Sequence, residues 1–252
     1  MLLTSLTDVP RNLKEAIDWL MAMKGDNAEN VDAMSAALHR FLIRYPVGFT
    51  EVPALERVKH FSRFFMKKPD IEDQPFVQEL IGRYSTRMSK NPKRLPTVSM
   101  SIEESDYKNI IKAWGVKPTA IARGLRKVLD GCEKLLDGVK HPSEYVSAYS
   151  SEATWEASCS EDPEACAVIL VGIAPMLYVG IRSLKDAADD ATGYVVFSNA
   201  ETRFARILEC VGYSATENRA NLSASDVFKA LGGIDGRVMD VIYDLAGFWA
   251  FY

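Results

Sequence analysis

Apolar residues recur every three to four positions along most of this chain, the spacing of helices that each bury one face. Leu13, Ile17, Leu20 and Met21 mark the first face, with Asp8 and Pro10 placed to open the helix and Gly25 to close it. Met34, Leu38, Phe41, Leu42 and Tyr45 mark a second, stopped by Pro46 and Gly48. Pro53 opens a third, with Leu55, Val58, Phe61 and Phe65 predicted to face inward, and a fourth spans about 75 to 88. Beyond the breaker-rich Lys90-Asn-Pro-Lys-Arg-Leu-Pro96 come a helix ending at Trp114-Gly115 and a longer one opening at Pro118. The longer helix stacks Ile121, Leu125, Val128, Leu129, Cys132, Leu135 and Leu136 on one stripe.

Residues 141–163 read as a loop holding short helical pieces. The stretch 165–181 carries no charge and is close to the shortest length that spans a bilayer. Because it contains Gly172, Pro175 and Gly180 and follows acidic residues, it is expected to be a buried helix kinked near Pro175. Helices over about 199–211 and 225–231 follow. The last is predicted to start near Asp235 and run unbroken to Tyr252, with Val238, Val241, Ile242, Leu245, Phe248, Trp249 and Tyr252 on one side. Burying that stripe is worth about 10 kcal/mol before entropy is subtracted. Such an aromatic end must tuck into a core, or else the chain continues beyond it. Tyr194-Val-Val-Phe197 is too short to build a sheet on, and there is no repeat or sustained heptad. The expected fold is therefore all-α, an antiparallel multi-helix bundle of about nine or ten helices in a single domain over 1–252.

Charge adds an asymmetry to this picture. Residues 1–140 hold 23 Lys and Arg against 18 Asp and Glu, whereas residues 141–252 hold 7 against 16, so a basic sub-lobe precedes an acidic one. The net charge of −4 gives no global reason to expect nucleic acid. At 252 residues the core is large enough to need neither metal nor disulfide. Four cysteines, Cys132, Cys159, Cys166 and Cys210, allow either two disulfides or four buried thiols. The loop Cys159-Ser-Glu-Asp-Pro-Glu-Ala-Cys166 suits a local bridge, which would leave Cys132 to Cys210. The first ten residues lack the basic and apolar regions of a leader peptide. Cytosolic residence, another export route and a leader already removed all stay open.

A search for chemistry finds no catalytic set, and neither a metal nor a cofactor is expected. Gly232-Gly-Ile-Asp-Gly236 lacks the Lys and Ser/Thr of a phosphate-binding loop, and no Gly-x-Ser-x-Gly elbow exists. His39, His60 and His141 stand apart from one another, with no second ligand at zinc spacing. Asp186, Asp189 and Asp190 lack the pattern of a calcium loop. Asp240 and Asp244, four residues apart, are expected on the wet side of the last helix. Asn221-Leu-Ser223 is a sequon of the kind that arises by chance. The best candidate binding surface is basic: Arg57, Lys59, Arg63, Lys67 and Lys68, then Arg83, Arg87, Lys93 and Arg94. The interleaved Phe61, Phe64 and Phe65 are predicted to be buried, which argues against a stacking surface for single-stranded nucleic acid.

Several blocks carry a resemblance. Pro10-Arg-Asn-Leu-Lys-Glu-Ala-Ile-Asp-Trp19 resembles the N-terminal motif of the variant erythrocyte surface antigen family of Babesia blood parasites. Tyr149-Ser-Ser-Glu-Ala-Thr-Trp155, Gly172-Ile-Ala-Pro-Met-Leu-Tyr-Val-Gly180, Glu209-Cys-Val-Gly-Tyr213 with Leu222-Ser-Ala-Ser-Asp-Val-Phe-Lys-Ala-Leu231, and Asp244-Leu-Ala-Gly-Phe-Trp-Ala-Phe-Tyr252 are similar to segments of large paralogous babesial families. The resemblance implies a non-enzymatic antigen-like domain, exported to the infected erythrocyte or its surface and binding a host receptor or red-cell protein. It implies specificity in the loops near 90–101 and 141–163, and a membrane contact only through a segment beyond Tyr252. The chain departs from such antigens in having few cysteines and no anchor of its own. An intracellular structural or scaffolding protein of the parasite is the alternative.

Overall fold

The computed structural model describes residues 2–94, 102–193, 199–213 and 222–252. Tyr194 to Phe197, Asn221 of the sequon and residues 95–101 of the loop near 90–101 lie outside them. Within them the chain is all-α: α1 Leu13–Lys24, α2 Glu29–Arg44, α3 Pro53–Met66, α4 Pro75–Ser85, α5 Ile110–Ala113 and α6 Pro118–Val139 form the first half. The second half holds α7 Trp155–Ser158, α8 Pro163–Thr192, α9 Ala200–Cys210, α10 Ala224–Ala230, α11 Gly236–Leu245 and α12 Phe248–Phe251. Helices open where the residues dictate. Pro53, Pro75, Pro118 and Pro163 stand in first turns, where a missing N–H costs nothing. Asn12, Asp162 and Asp235 cap N-termini by accepting backbone N–H bonds.

The apolar helix α8 is the axis of the molecule, and α1, α2, α3, α9, α10 and α11 all pack on it. By length and composition it could cross a membrane, but 83% of its most apolar window is buried inside the protein. It runs through Pro175 without a break. Two glycines let neighbours approach closely: a Cβ on Gly172 would lie 2.4 Å from Val58 of α3, and one on Gly180 3.0 Å from Leu13 of α1. Ser62 of α3 donates its hydroxyl to the Gly172 carbonyl at that same crossing. One connected apolar core includes residues from both sides of position 140. A parallel bridge pairs Leu3 with Tyr149.

The C-terminal end departs from the expected single helix. Gly247 adopts a left-handed conformation (φ 63°) that closes α11 and turns the chain into α12. Phe251 folds back over this glycine, so that a Cβ there would stand 2.8 Å from the Phe251 ring and 3.1 Å from Leu42. Helical periodicity continues through Trp249 and Tyr252, but the glycine lets the terminal aromatic residues wedge between α2, α3 and α4. Phe251 stacks on Phe41, and Tyr252 meets Tyr84 edge-on.

Cys159 and Cys166 form a disulfide across the turn into α8. Cys132 and Cys210 do not pair with each other. Cys132 is sealed in the core on α6, where burial pushes its thiol up to about 12, and the Cys210 thiol donates to the Pro69 carbonyl instead.

Candidate functional site

The block at 10–19 is a docking station for the rest of the chain. Asn12 caps α1, and Lys14 donates its backbone N–H to Val211. Gly212 (φ 108°) lies so near Asn12 that a Cβ would come within 2.5 Å of its side-chain oxygen. The Lys14 ammonium donates to the Val146 carbonyl and stands over the Tyr145 ring. Asp18 accepts the Tyr145 hydroxyl and the Ala148 N–H, while Trp19 donates its indole N–H to the Leu6 carbonyl. Burial, its largest influence, raises the Asp18 carboxyl above its ordinary value despite these donors and Lys14. Tyr149 completes the contact by donating to the Asp8 carbonyl. Part of the 141–163 loop is therefore pinned to α1, and the motifs at 10–19, 149–155 and 209–213 hold one another in place.

A second polar cluster is buried at the C-terminal end. Arg83 of α4 grips Asp106 with both terminal nitrogens, at 2.5 and 3.0 Å, and the Tyr243 hydroxyl of α11 donates to the same carboxylate at 2.7 Å. The Arg83 guanidinium also lies over the Phe248 ring, 4.5 Å from its centroid. Lys90 donates to the carbonyls of Asp106 and Phe248, and burial, followed by the nearby Arg83, brings its ammonium down to about 8. These charges clamp α4, α11 and the terminal turn together. The Arg83 and Asp106 side chains are enclosed, and Lys90 is half-buried beside them.

This enclosure removes two members of the basic surface expected from sequence. Arg83 is buried in the clamp, and Lys59 is buried beneath the C-terminus, donating to the Phe251 carbonyl at 2.6 Å and to Glu56 at 2.9 Å with Tyr252 under its ammonium. Their aliphatic stems cover aromatic rings while the charges find carbonyl and carboxylate oxygens. Arg87 and Lys93 are exposed; Arg87 pairs with Glu51 and covers Phe49. The side chain of Arg94 lies outside the described residues. Arg63 reaches Ser85, and Lys68 donates to the Cys210 carbonyl, which anchors one end of α9.

What remains is an outer face of α3 with a character that sequence reasoning missed. Phe65 is buried as expected, but Phe64 is 67% exposed and Phe61 is half-buried under the Arg11 guanidinium. Arg57, His60 and Lys67 are exposed beside them. Two adjoining hollows, about 430 and 520 Å³, share Arg11, Glu15 and Phe61 and extend from Lys68 to Leu2 and Leu3. A signal was present in the helical period: Leu55, Val58 and Phe65 set the inward stripe of α3, and Phe64 falls well to one side of it. Exposed aromatic carbon framed by cations suits an acidic partner with an apolar anchor.

Asp240 is exposed as expected, but Asp244 is not on the wet side of α11. It lines an apolar hollow, and burial, its largest influence, lifts its carboxyl to about 6. His39, His60 and His141 remain separate, and the described residues hold no cluster of three or more His, Cys, Asp or Glu arranged to grip a metal. None of the protein-family models, curated proteins or solved structures compared with this chain matches it.

Proposed function

We propose that this chain is a non-enzymatic helical recognition domain of a parasite variant or multigene antigen, and that the outer face of α3 binds an acidic stretch of a host cell-surface or immune-receptor protein. The exposure of Phe64 beside Arg57, His60 and Lys67 carries this reading. Full burial of one phenylalanine contributes about 1.5–3 kcal/mol, and aromatic and arginine side chains dominate binding energy at protein interfaces. The flanking cations would speed encounter with an acidic surface and weaken in salt. The Cys159–Cys166 disulfide supports passage through an oxidising compartment, in keeping with export. The family reading rests on the blocks that resemble babesial antigens.

The test is a binding screen of the folded chain against red cells and purified host surface and immune-receptor proteins. A hit should weaken at least tenfold with Phe64→Ala and also with Arg57→Glu, positions exposed enough to leave the fold intact. A hit indifferent to both changes, or no hit from repeated screens, refutes the proposal. The unbridged Cys132 and Cys210 favour the alternative of an intracellular scaffolding protein. Antibody localisation in infected cells separates the two.

A further inference from the structure

A second site lies where α5, α6 and α11 meet. Leu42, Ile110, Ile111, Val116, Ile121 and Leu245 enclose a hollow of about 150 Å³. A cavity of about this size and lining accommodates a benzene-sized molecule. Close packing shapes its floor, since a Cβ on Gly124 would meet Val241 at 3.0 Å. Trp114, 61% exposed, stands at its edge, and Ala120 is exposed on its rim.

The one charged side chain in this wall is Asp244. The charges acting on it come from Asp240, Glu103 and Asp106, all carboxylates. Asp240 is in turn pushed above its ordinary value by partial burial, Glu103 and Asp235. An apolar hollow with a carboxylate wall in a locally acidic field is complementary to an apolar body bearing one positive charge. The exposed indole adds a face that attracts cations.

We infer that this hollow is a binding site for a small organic cation, with an aromatic or branched aliphatic body in the pocket and its ammonium on Asp244. The site is independent of the α3 face and of any host partner. Benzylammonium, with benzyl alcohol as its uncharged counterpart, is the direct probe. Binding is read from the Trp114 indole N–H signal in two-dimensional NMR, assigned by its loss in Trp114→Phe.

Benzylammonium should shift that signal saturably and bind about tenfold more tightly than benzyl alcohol. Asp244→Asn should erase the difference while leaving benzyl alcohol binding in place. Ala120→Phe, which fills the mouth from an exposed position, should abolish both. Equal binding of the two probes would identify a socket for an uncharged apolar group and overturn the inference. Absence of saturable binding, or binding unaffected by Ala120→Phe, would overturn it as well.

Discussion

Removing the Asp106 carboxylate should be among the most damaging single changes available in this chain. Its oxygens accept from both terminal nitrogens of Arg83, from the Tyr243 hydroxyl and from the Glu103 backbone N–H. The side chain is fully buried and that of Arg83 nearly so. Asp106→Ala therefore strands a guanidinium in the interior with no counter-charge, and leaves two further donors unmade. Breaking a buried ion pair from one side costs about 3–5 kcal/mol, against a total stability of about 5–15 kcal/mol for a domain. In a chain of this length the melting temperature should fall by about 10 °C. Urea unfolding followed by circular dichroism at pH 7 measures the loss directly. Adding Arg83→Met removes the stranded charge, so the double variant should recover about 1–3 kcal/mol relative to Asp106→Ala alone. A loss below about 1 kcal/mol for the single variant, or a double variant less stable than the single, would refute the view that this pair is an electrostatically committed clamp.

Three other outcomes follow from the geometry. Gly247→Ala should cost about 1–3 kcal/mol in the same assay, from left-handed backbone strain and the clash with Phe251 and Leu42, whereas Gly82→Ala, which meets nothing within 4 Å, should not destabilise. Asp244, raised from its ordinary 3.8 to about 6, contributes stability that is full below about 4 and lost as pH rises through about 6; Asp244→Asn should flatten the dependence of stability on pH between those limits. Replacing Cys159 and Cys166 together by serine should cost about 2–3 kcal/mol through the freed loop, seen as a fall in urea midpoint to that of the reduced protein.

How much of this was legible in the sequence depends on the range of the interaction concerned. The period of apolar residues determined that the chain is all-α, and prolines and capping side chains marked most helix starts, because those signals act within a few residues of one another. Even the central burial of α8 was legible, from an uncharged run punctuated by Gly172, Pro175 and Gly180. The break at Gly247 was not: a glycine in a helical pattern is tolerated until something distant, here Phe251 against Leu42, makes the left-handed turn favourable.

The candidate sites divide in the same way. Sequence alone found the basic run but could not sort it, since a lysine that buries its stem under Tyr252 and one that faces water are the same letter. Only the tertiary structure decided that Lys59 and Arg83 are consumed in the interior, and that Asp244 faces an apolar hollow. Local propensity is a property of neighbouring residues along the chain, whereas burial, charge pairing and pocket shape are set by elements far apart in sequence. Asp106 meets Tyr243 and Lys59 meets Phe251 across most of the chain, and no pattern within either segment announces the other.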